Sequence, residues 1–215
     1  MHLSKSDLAT ISANLFPDSD FNSTLQRHRW RVCPFDRILA TLPDKNCDVF
    51  DIGCGSGLFI GFLKHYRYVE CATGIDSNKY SVERAREVIK KAGWNHSVEL
   101  IVEREPEQWP NRTFDLVSMI DVLHHIRPAL QEVFFTAAVD RLAQGGTMVV
   151  KEIVPLPNPW ALANLAHDLL LARQLVRHVS YQQLLRWAAK LSLRVNAVTE
   201  QRTLWYNHYW MTFSK

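Results

Sequence analysis

Four short stretches hold the residues best suited to chemistry. The first is Asp51-Ile52-Gly53-Cys54-Gly55-Ser56-Gly57. Glycines at alternate positions let a backbone turn sharply and come close to a ligand. A helix opening after such a turn adds free amide donors for a polar or anionic group. The spacing is G-x-G-x-G; the dinucleotide pattern G-x-G-x-x-G would need glycine at position 58, which is Leu58. The second is Asp76, 19 residues beyond Gly57, at the end of an apolar run. A carboxylate there can accept both hydroxyls of a ribose, or it can cap a helix opening near Asn78. The third is Asp121-Val122-Leu123-His124-His125. Imidazole titrates near neutral pH and can serve as a general base, or such a histidine packs against the next turn. The fourth is Lys151-Glu152, two charges interrupting an apolar run. They form an ion pair closing the end of that run, or one of them faces a cleft, where Glu152 would orient a hydroxyl or act as a base.

The elements that must position these groups alternate. Short apolar runs at Cys47–Ile52, Val69–Ile75, Val98–Val102, Phe114–Ile120 and Thr147–Val154 read as strands. Helical spacing marks Leu58–His65, Asn78–Ala92 and Pro128–Leu142 between them, and Ser180-Tyr181-Gln182-Gln183 opens a further helix to about Leu191 as a capping box. Two last strands, Arg194–Thr199 and His208–Phe213, are expected to form a hairpin. This alternation predicts an α/β fold with a largely parallel sheet. Two segments fall outside it. Residues 1–32 precede the first strand, and residues 155–178 follow the fifth, where Pro155, Pro157 and Pro159 give an irregular entry. Ala161–Val176 then reads as an amphipathic helix.

Composition limits the function classes. The chain has 215 residues, 47% of them apolar, which fits one domain, 1–215, with a real core. A net charge of +3 is mild, and the densest basic stretch is Arg27-His28-Arg29-Trp30-Arg31, so no nucleic-acid partner is expected. The four cysteines form no C-x-x-C pair, which argues against a zinc ribbon and fits a reducing compartment. The first thirteen residues hold no apolar run, and Asn164, His167, Asp168 and Arg173 break the longest apolar stretch. Neither a signal peptide nor a membrane span is expected, and the predicted location is the cytoplasm. The seven tryptophans suggest an aromatic-lined pocket, with Trp30, Trp160, Trp205 and Trp210 in the flanks that would enclose it.

Taken in order, Asp51–Gly57, Gly74-Ile75-Asp76-Ser77, Phe114–His125 and Leu142-Ala143-Gln144-Gly145-Gly146 resemble the motifs of class I S-adenosylmethionine-dependent methyltransferases of the small-molecule type, over roughly residues 47–154. The resemblance implies a Rossmann-like, doubly wound seven-stranded sheet in the order 3-2-1-4-5-7-6. Strand 7 would be antiparallel, and a helical cap would come from residues 1–32 and 155–178. It implies S-adenosylmethionine as cofactor. Cofactor contacts would come from Asp51, Gly53, Cys54, Gly55, Gly57, Asp76, Ser77, Glu103 and Asp121. Asp76 would take the ribose diol, Ser77 the adenine ring and Glu103 the adenine amine. Glu103-Arg104-Glu105-Pro106 replaces the more common G-D-A there. His124, His125 and Glu152 are the catalytic candidates. Asp121, His124 and His125 have metal-ligand chemistry, but the motif accounts for them without a metal, and none is predicted.

The flanks bear on the substrate. Arg27–Phe35 mixes cations with aromatics and would clamp a carboxylate or phosphate, or lie as a solvated helix face. The stretch Lys151–Asp168 has a faint similarity to methyltransferases of bacterial aryl-polyene and polyketide-type pathways. That similarity implies a small aromatic or phenolic acceptor, free or carrier-bound, methylated on oxygen or carbon in secondary metabolism. Two other readings stay open: an RNA-modifying methyltransferase, and a cofactor-binding protein without catalysis.

Overall fold

A computed structural model describes residues 3–17, 20–43, 47–65, 69–154, 177–204 and 206–215. Within these, seven strands form one sheet: β1 (Cys47–Ile52), β2 (Val69–Asp76), β3 (Val98–Val102), β4 (Phe114–Ile120), β5 (Leu142–Ile153), β6 (Arg194–Thr203) and β7 (Tyr206–Ser214). Their order is β3-β2-β1-β4-β5-β7-β6, with β7 antiparallel to both neighbours, as the motif resemblance implies. The order reverses direction between β1 and β4, and ligands of such sheets bind outside the strand ends at that point.

Helices cover both faces. Apolar side chains of α1 (Lys5–Leu15), α3 (Phe35–Ala40), α4 (Leu58–His65) and α5 (Lys79–Lys91) pack with Val49, Leu116, Val149 and Trp210 on one face. α6 (Pro128–Asp140) and α7 (Tyr181–Lys190) pack with Phe50, Val117, Val150 and Tyr209 on the other. Adjacent strand residues thus face opposite layers, as the pleat requires. α2 (Phe21–His28) leads into a 3-10 turn at Arg29–Arg31, so residues 1–32 do carry helices. The Ser180–Gln183 capping box forms as expected, with each residue's backbone amide bonded to the other's side chain.

Three expectations shift. β5 starts at Leu142, five residues before Thr147, because a β-bulge opposite Phe114–Leu116 absorbs Gly145-Gly146 and lets Leu142 pair with Phe114. α6 accordingly stops at Asp140. β6 and β7 extend beyond Thr199 and before His208, so the hairpin is longer than the apolar runs show. Trp210 is 1% exposed inside the core, not on a pocket wall. Its strand is shielded on both sides by β5 and β6. The helix expected at Ala161–Val176, with Trp160, His167 and Asp168, and the residue Trp205 lie outside the described residues. Among the described residues no helix is long and apolar enough to cross a membrane.

Candidate active site

Two cavities meet at the C-terminal ends of β1, β2, β4 and β5. The larger, about 640 Å³, is lined by Gly53, Gly55, Asp76, Ser77, Glu103, Trp109 and Asp121, among others. The smaller, about 360 Å³, is lined by Leu25, His28, Cys33, His124, Lys151, Tyr206 and His208, among others. Arg29, Asp121 and His125 belong to both linings. Both volumes suit small ligands.

The glycine turn builds the floor of the larger cleft. Gly53 has φ +72°, and a Cβ there would lie 2.5 Å from Val122 Cγ2. The position therefore demands glycine on two counts, conformation and close approach. Asp76 holds the turn from the side: its Oδ2 accepts from the Gly55 amide at 3.0 Å and its Oδ1 from the Asn78 amide at 2.7 Å. Those two bonds leave lone pairs on both oxygens for a diol. Helix capping and ligand binding are thus compatible, and Asn78 itself caps α5 through Ser81. Ser77 and Glu103 also line the cleft, and Glu103 Oε1 accepts from the amides of Arg104 and Glu105. Cys54 turns its side chain into the core and Gly57 precedes α4, and neither of these two expected cofactor residues lines the cleft.

Asp51 gives an observation bearing directly on the cofactor. Its Oδ1 accepts the Ser118 hydroxyl at 2.6 Å, while its Oδ2 is buried with no hydrogen-bond partner. Burial pushes this carboxyl up to about 7. An orphaned buried carboxylate oxygen beside a glycine turn fits a ligand ammonium, the group at the amino-acid end of S-adenosylmethionine. The residues present fit such a cofactor: Asp76, Gly53 and Gly55 line the cleft, and Asp51, which lines neither cavity, precedes the turn with its orphaned oxygen.

The adjacent charges Lys151 and Glu152 part company. Lys151, 1% exposed, faces the smaller cavity and donates through Nζ to Asp121 Oδ1. Asp121 Oδ2 accepts from Arg29 at 3.2 Å. Burial alone would raise the Asp121 carboxyl, but Lys151 and Arg29 hold it well below the usual carboxylate range. Asp121 also has φ +59°, a strained setting for a residue with a Cβ, and one found at functional sites. Glu152 points the other way. It is fully buried, and its Oε1 accepts from the amides of Val122 and Leu123 at 3.2 and 2.8 Å. Its Oε2 lies 2.5 Å from His124 Nδ1. Burial would lower His124, yet the facing Glu152 carboxylate holds it above its ordinary value. So Lys151 and Glu152 do not pair with each other, because neighbours on a strand emerge on opposite faces. His125, its ring tilted 49° to that of His124 with centroids 4.1 Å apart, is exposed at the junction of the cavities.

The sequence points to Arg29 only within the Arg27–Phe35 clamp or solvated face, and to His208 only as the start of a strand. Arg29 is turned inward onto Asp121, away from a solvated helix face. His208 Nε2 bonds to the Val32 carbonyl at 2.7 Å and ties the 3-10 turn to β7. Burial, with the nearby Lys151 charge, pushes His208 down to about 3, so it is neutral. Their signal was the excess of cations and histidines in both flanks. Among the described residues His124, Glu152 and His178 bring possible metal-ligand atoms within 4.8 Å of one another. The His124 bond and the two amides already account for the Glu152 carboxylate. No tryptophan among the described residues lines the smaller cavity; its ring walls are histidines and Tyr206.

Residues 50–148 match the family model of a methyltransferase domain. That match, the sheet order and the cofactor-fitting cleft agree with the Rossmann-like methyltransferase fold. Among curated proteins none matches the sequence significantly. Solved structures share the fold at low identity. An O-methyltransferase family 2 protein from Planctomyces limnophilus, in complex with apigenin, is 20% identical with TM-score 0.70, over 99% of this chain and 66% of its own. The pyocyanin biosynthetic protein PhzM is 15% identical with TM-score 0.72, over 95% and 61%. Mycolic acid cyclopropane synthase CmaA1 is 14% identical with TM-score 0.70, over 100% and 99%. The chain spans only 58% and 66% of the first two solved structures it matches.

Proposed function

We propose that this protein methylates a small acceptor, on a hydroxyl oxygen, in the cavity bounded by Arg29, His124, Lys151 and His208. The observation that carries the reading is the His124–Glu152 pair, of which His124 lines this cavity next to its junction with the cofactor cleft while Glu152 is buried behind it. When bound, S-adenosylmethionine supplies an electrophilic methyl group on a sulfonium and departs as S-adenosylhomocysteine. The protein's part is alignment and proton removal. Glu152 accepts the Nδ1 proton of His124 and fixes the ring, so Nε2 is the nitrogen left to take the acceptor's O–H proton. Asp51 and Asp76 hold the two ends of the cofactor, and His125 stands at the junction.

A phenolic acceptor fits the cavity volume and the base, and fold neighbours support the class: one was solved with apigenin and another with a hydroxynaphthoic acid. The inward turn of Arg29 favours a small molecule over RNA, since it withdraws one cation from the basic cluster. The test is calorimetry with S-adenosylhomocysteine on wild type and Asp76→Ala, then mass spectrometry of a phenol panel with S-adenosylmethionine. Binding lost in Asp76→Ala and a methylated phenol support the reading; wild type that binds no nucleoside ends it.

A further inference from the structure

Glu152 fixes the ring of His124, and a different residue fixes the backbone that carries it. His124 sits in a 3-10 turn, Leu123–His125, between β4 and α6. A turn of three residues has few hydrogen bonds of its own and is held by what surrounds it. Gln131 lies in the first turn of α6, where side chains lean back toward the helix N-terminus, here toward that 3-10 turn. It is 3% exposed, and every other buried residue of α6 is apolar: Phe134, Phe135, Ala137, Ala138 and Val139. A carboxamide at such depth is costly unless its donors are met.

They are met three times over. Gln131 Nε2 donates to the carbonyls of Leu123 at 3.0 Å, Ile126 at 3.3 Å and Arg177 at 2.9 Å. Two N–H groups thus serve three carbonyls, two of which bracket His124 in the chain. Three oxygens around one atom also settle which end of the amide is the nitrogen. Arg177 closes the circuit, since its amide donates to the His124 carbonyl at 3.1 Å. Two residues further on, the Val179 carbonyl accepts from the buried Tyr209 hydroxyl at 2.6 Å. Arg177 is the first described residue after Val154, so the chain re-enters the described structure fastened to the turn of His124, to α6 and to β7.

We propose that Gln131 is a positioning residue for methyl transfer: it binds the His124 turn and the chain at Arg177 into one unit and so sets where His124 Nε2 meets the acceptor hydroxyl. This rests on the methyl-transfer reading above. Gln131 lines neither cavity and acts only through His124.

Gln131→Met keeps the length of the side chain and removes its donors. Methylation of a phenol by this variant is expected to show kcat about 10- to 100-fold lower, the cost of a small misplacement of a reacting group. The KM for S-adenosylmethionine is expected to stay at its wild-type value. In the cofactor-free protein the His124 Nδ1–H proton resonance, assigned by its absence in His124→Asn, is expected to move. Unchanged calorimetric affinity for S-adenosylhomocysteine shows that the variant is folded. Should Gln131→Met not fold, Gln131→Glu keeps the shape, turns oxygen toward the three carbonyls and is read in the same ways. The proposal is overturned if kcat or the resonance stays at its wild-type value, or if KM for S-adenosylmethionine rises as kcat falls. If wild type methylates no phenol, the methyl-transfer reading fails by itself, and the resonance alone decides whether Gln131 holds the His124 ring.

Discussion

His124 Nδ1 and Glu152 Oε2 lie 2.5 Å apart in a fully buried pair, and two backbone amides fasten the carboxylate from behind. The pair sets a rigid ring orientation and a raised His124 basicity in one arrangement. Removing the charge while keeping the shape is the direct test. Glu152→Gln still accepts from the Val122 and Leu123 amides, so the fold is expected to persist. Turnover is expected to fall about 100-fold, as for loss of an oriented base. The base works neutral, so wild-type activity rises with pH through a value above 6.5. In Glu152→Gln that rise is expected at lower pH, and an unmoved pH–rate profile would show that Glu152 does not tune His124.

Asp51 makes a second prediction with a definite sign. Its carboxyl is raised from 3.8 to about 7 by burial. The folded cofactor-free protein therefore binds more protons than the unfolded chain between those values, and its stability falls as pH rises through that window. Asp51→Asn is expected to remove this slope in denaturant titrations at several pH values. In wild type, S-adenosylhomocysteine binding is expected to tighten as pH rises through about 7, because the ligand's ammonium favours the ionised carboxylate. Equal slopes in variant and wild type would place the titrating group elsewhere.

Gly53 and Gly55 should differ under the same substitution. Both have positive φ, but a methyl group at Gly53 meets Val122 at 2.5 Å while one at Gly55 meets nothing within 4 Å. Gly55→Ala is expected to cost about 1 kcal/mol, the backbone contribution alone. Gly53→Ala adds the clash and is expected to cost about 2–3 kcal/mol and to weaken cofactor binding. Thermal unfolding of the two variants side by side reads the difference, and equal losses would contradict it.

Lys151→Met takes a buried ammonium from Asp121 and leaves Arg29 as the remaining partner. Breaking a buried pair costs about 3–5 kcal/mol, less where a second cation remains. The depressed Asp121 carboxyl contributes stability that is present above the ordinary carboxylate range and lost as pH falls below it. Lys151→Met is expected to shrink that acid-dependent loss. An acid unfolding curve identical to wild type would mean that Lys151 does not hold Asp121 ionised.

The legible parts and the missed ones have different physical origins. β1, β2, β3 and β4 were readable because each is a short apolar run bounded by a turn, and the glycine turn was readable because its residues answer to backbone geometry. Asp76 and Ser77 follow from their place at the end of β2. The start of β5 was obscured because Gly145 and Gly146 read as a turn, while the sheet accommodates them as a bulge. Lys151 and Glu152 stand out as charges in an apolar run, but the ion pair between them that the sequence leaves open is ruled out by the period of a strand, which sends neighbours to opposite faces. Arg29 and His208 depend on contacts across 92 and 176 residues, and no local pattern encodes these. Trp210 has the composition of a pocket wall, and only its position between two strands makes it core.

The bond from His208 to Val32 has a consequence for how the molecule comes together. The cofactor cleft draws on residues between Ile52 and Phe134, apart from Arg29, and its pieces are near one another along the chain. The acceptor cavity needs a wall from each end, and the bond that joins those walls closes a loop of 176 residues. Contacts of such separation pay a larger entropic penalty and form after local ones. A chain emerging from synthesis thus has all it needs to grip the nucleoside well before it can shape a place for the molecule to be methylated.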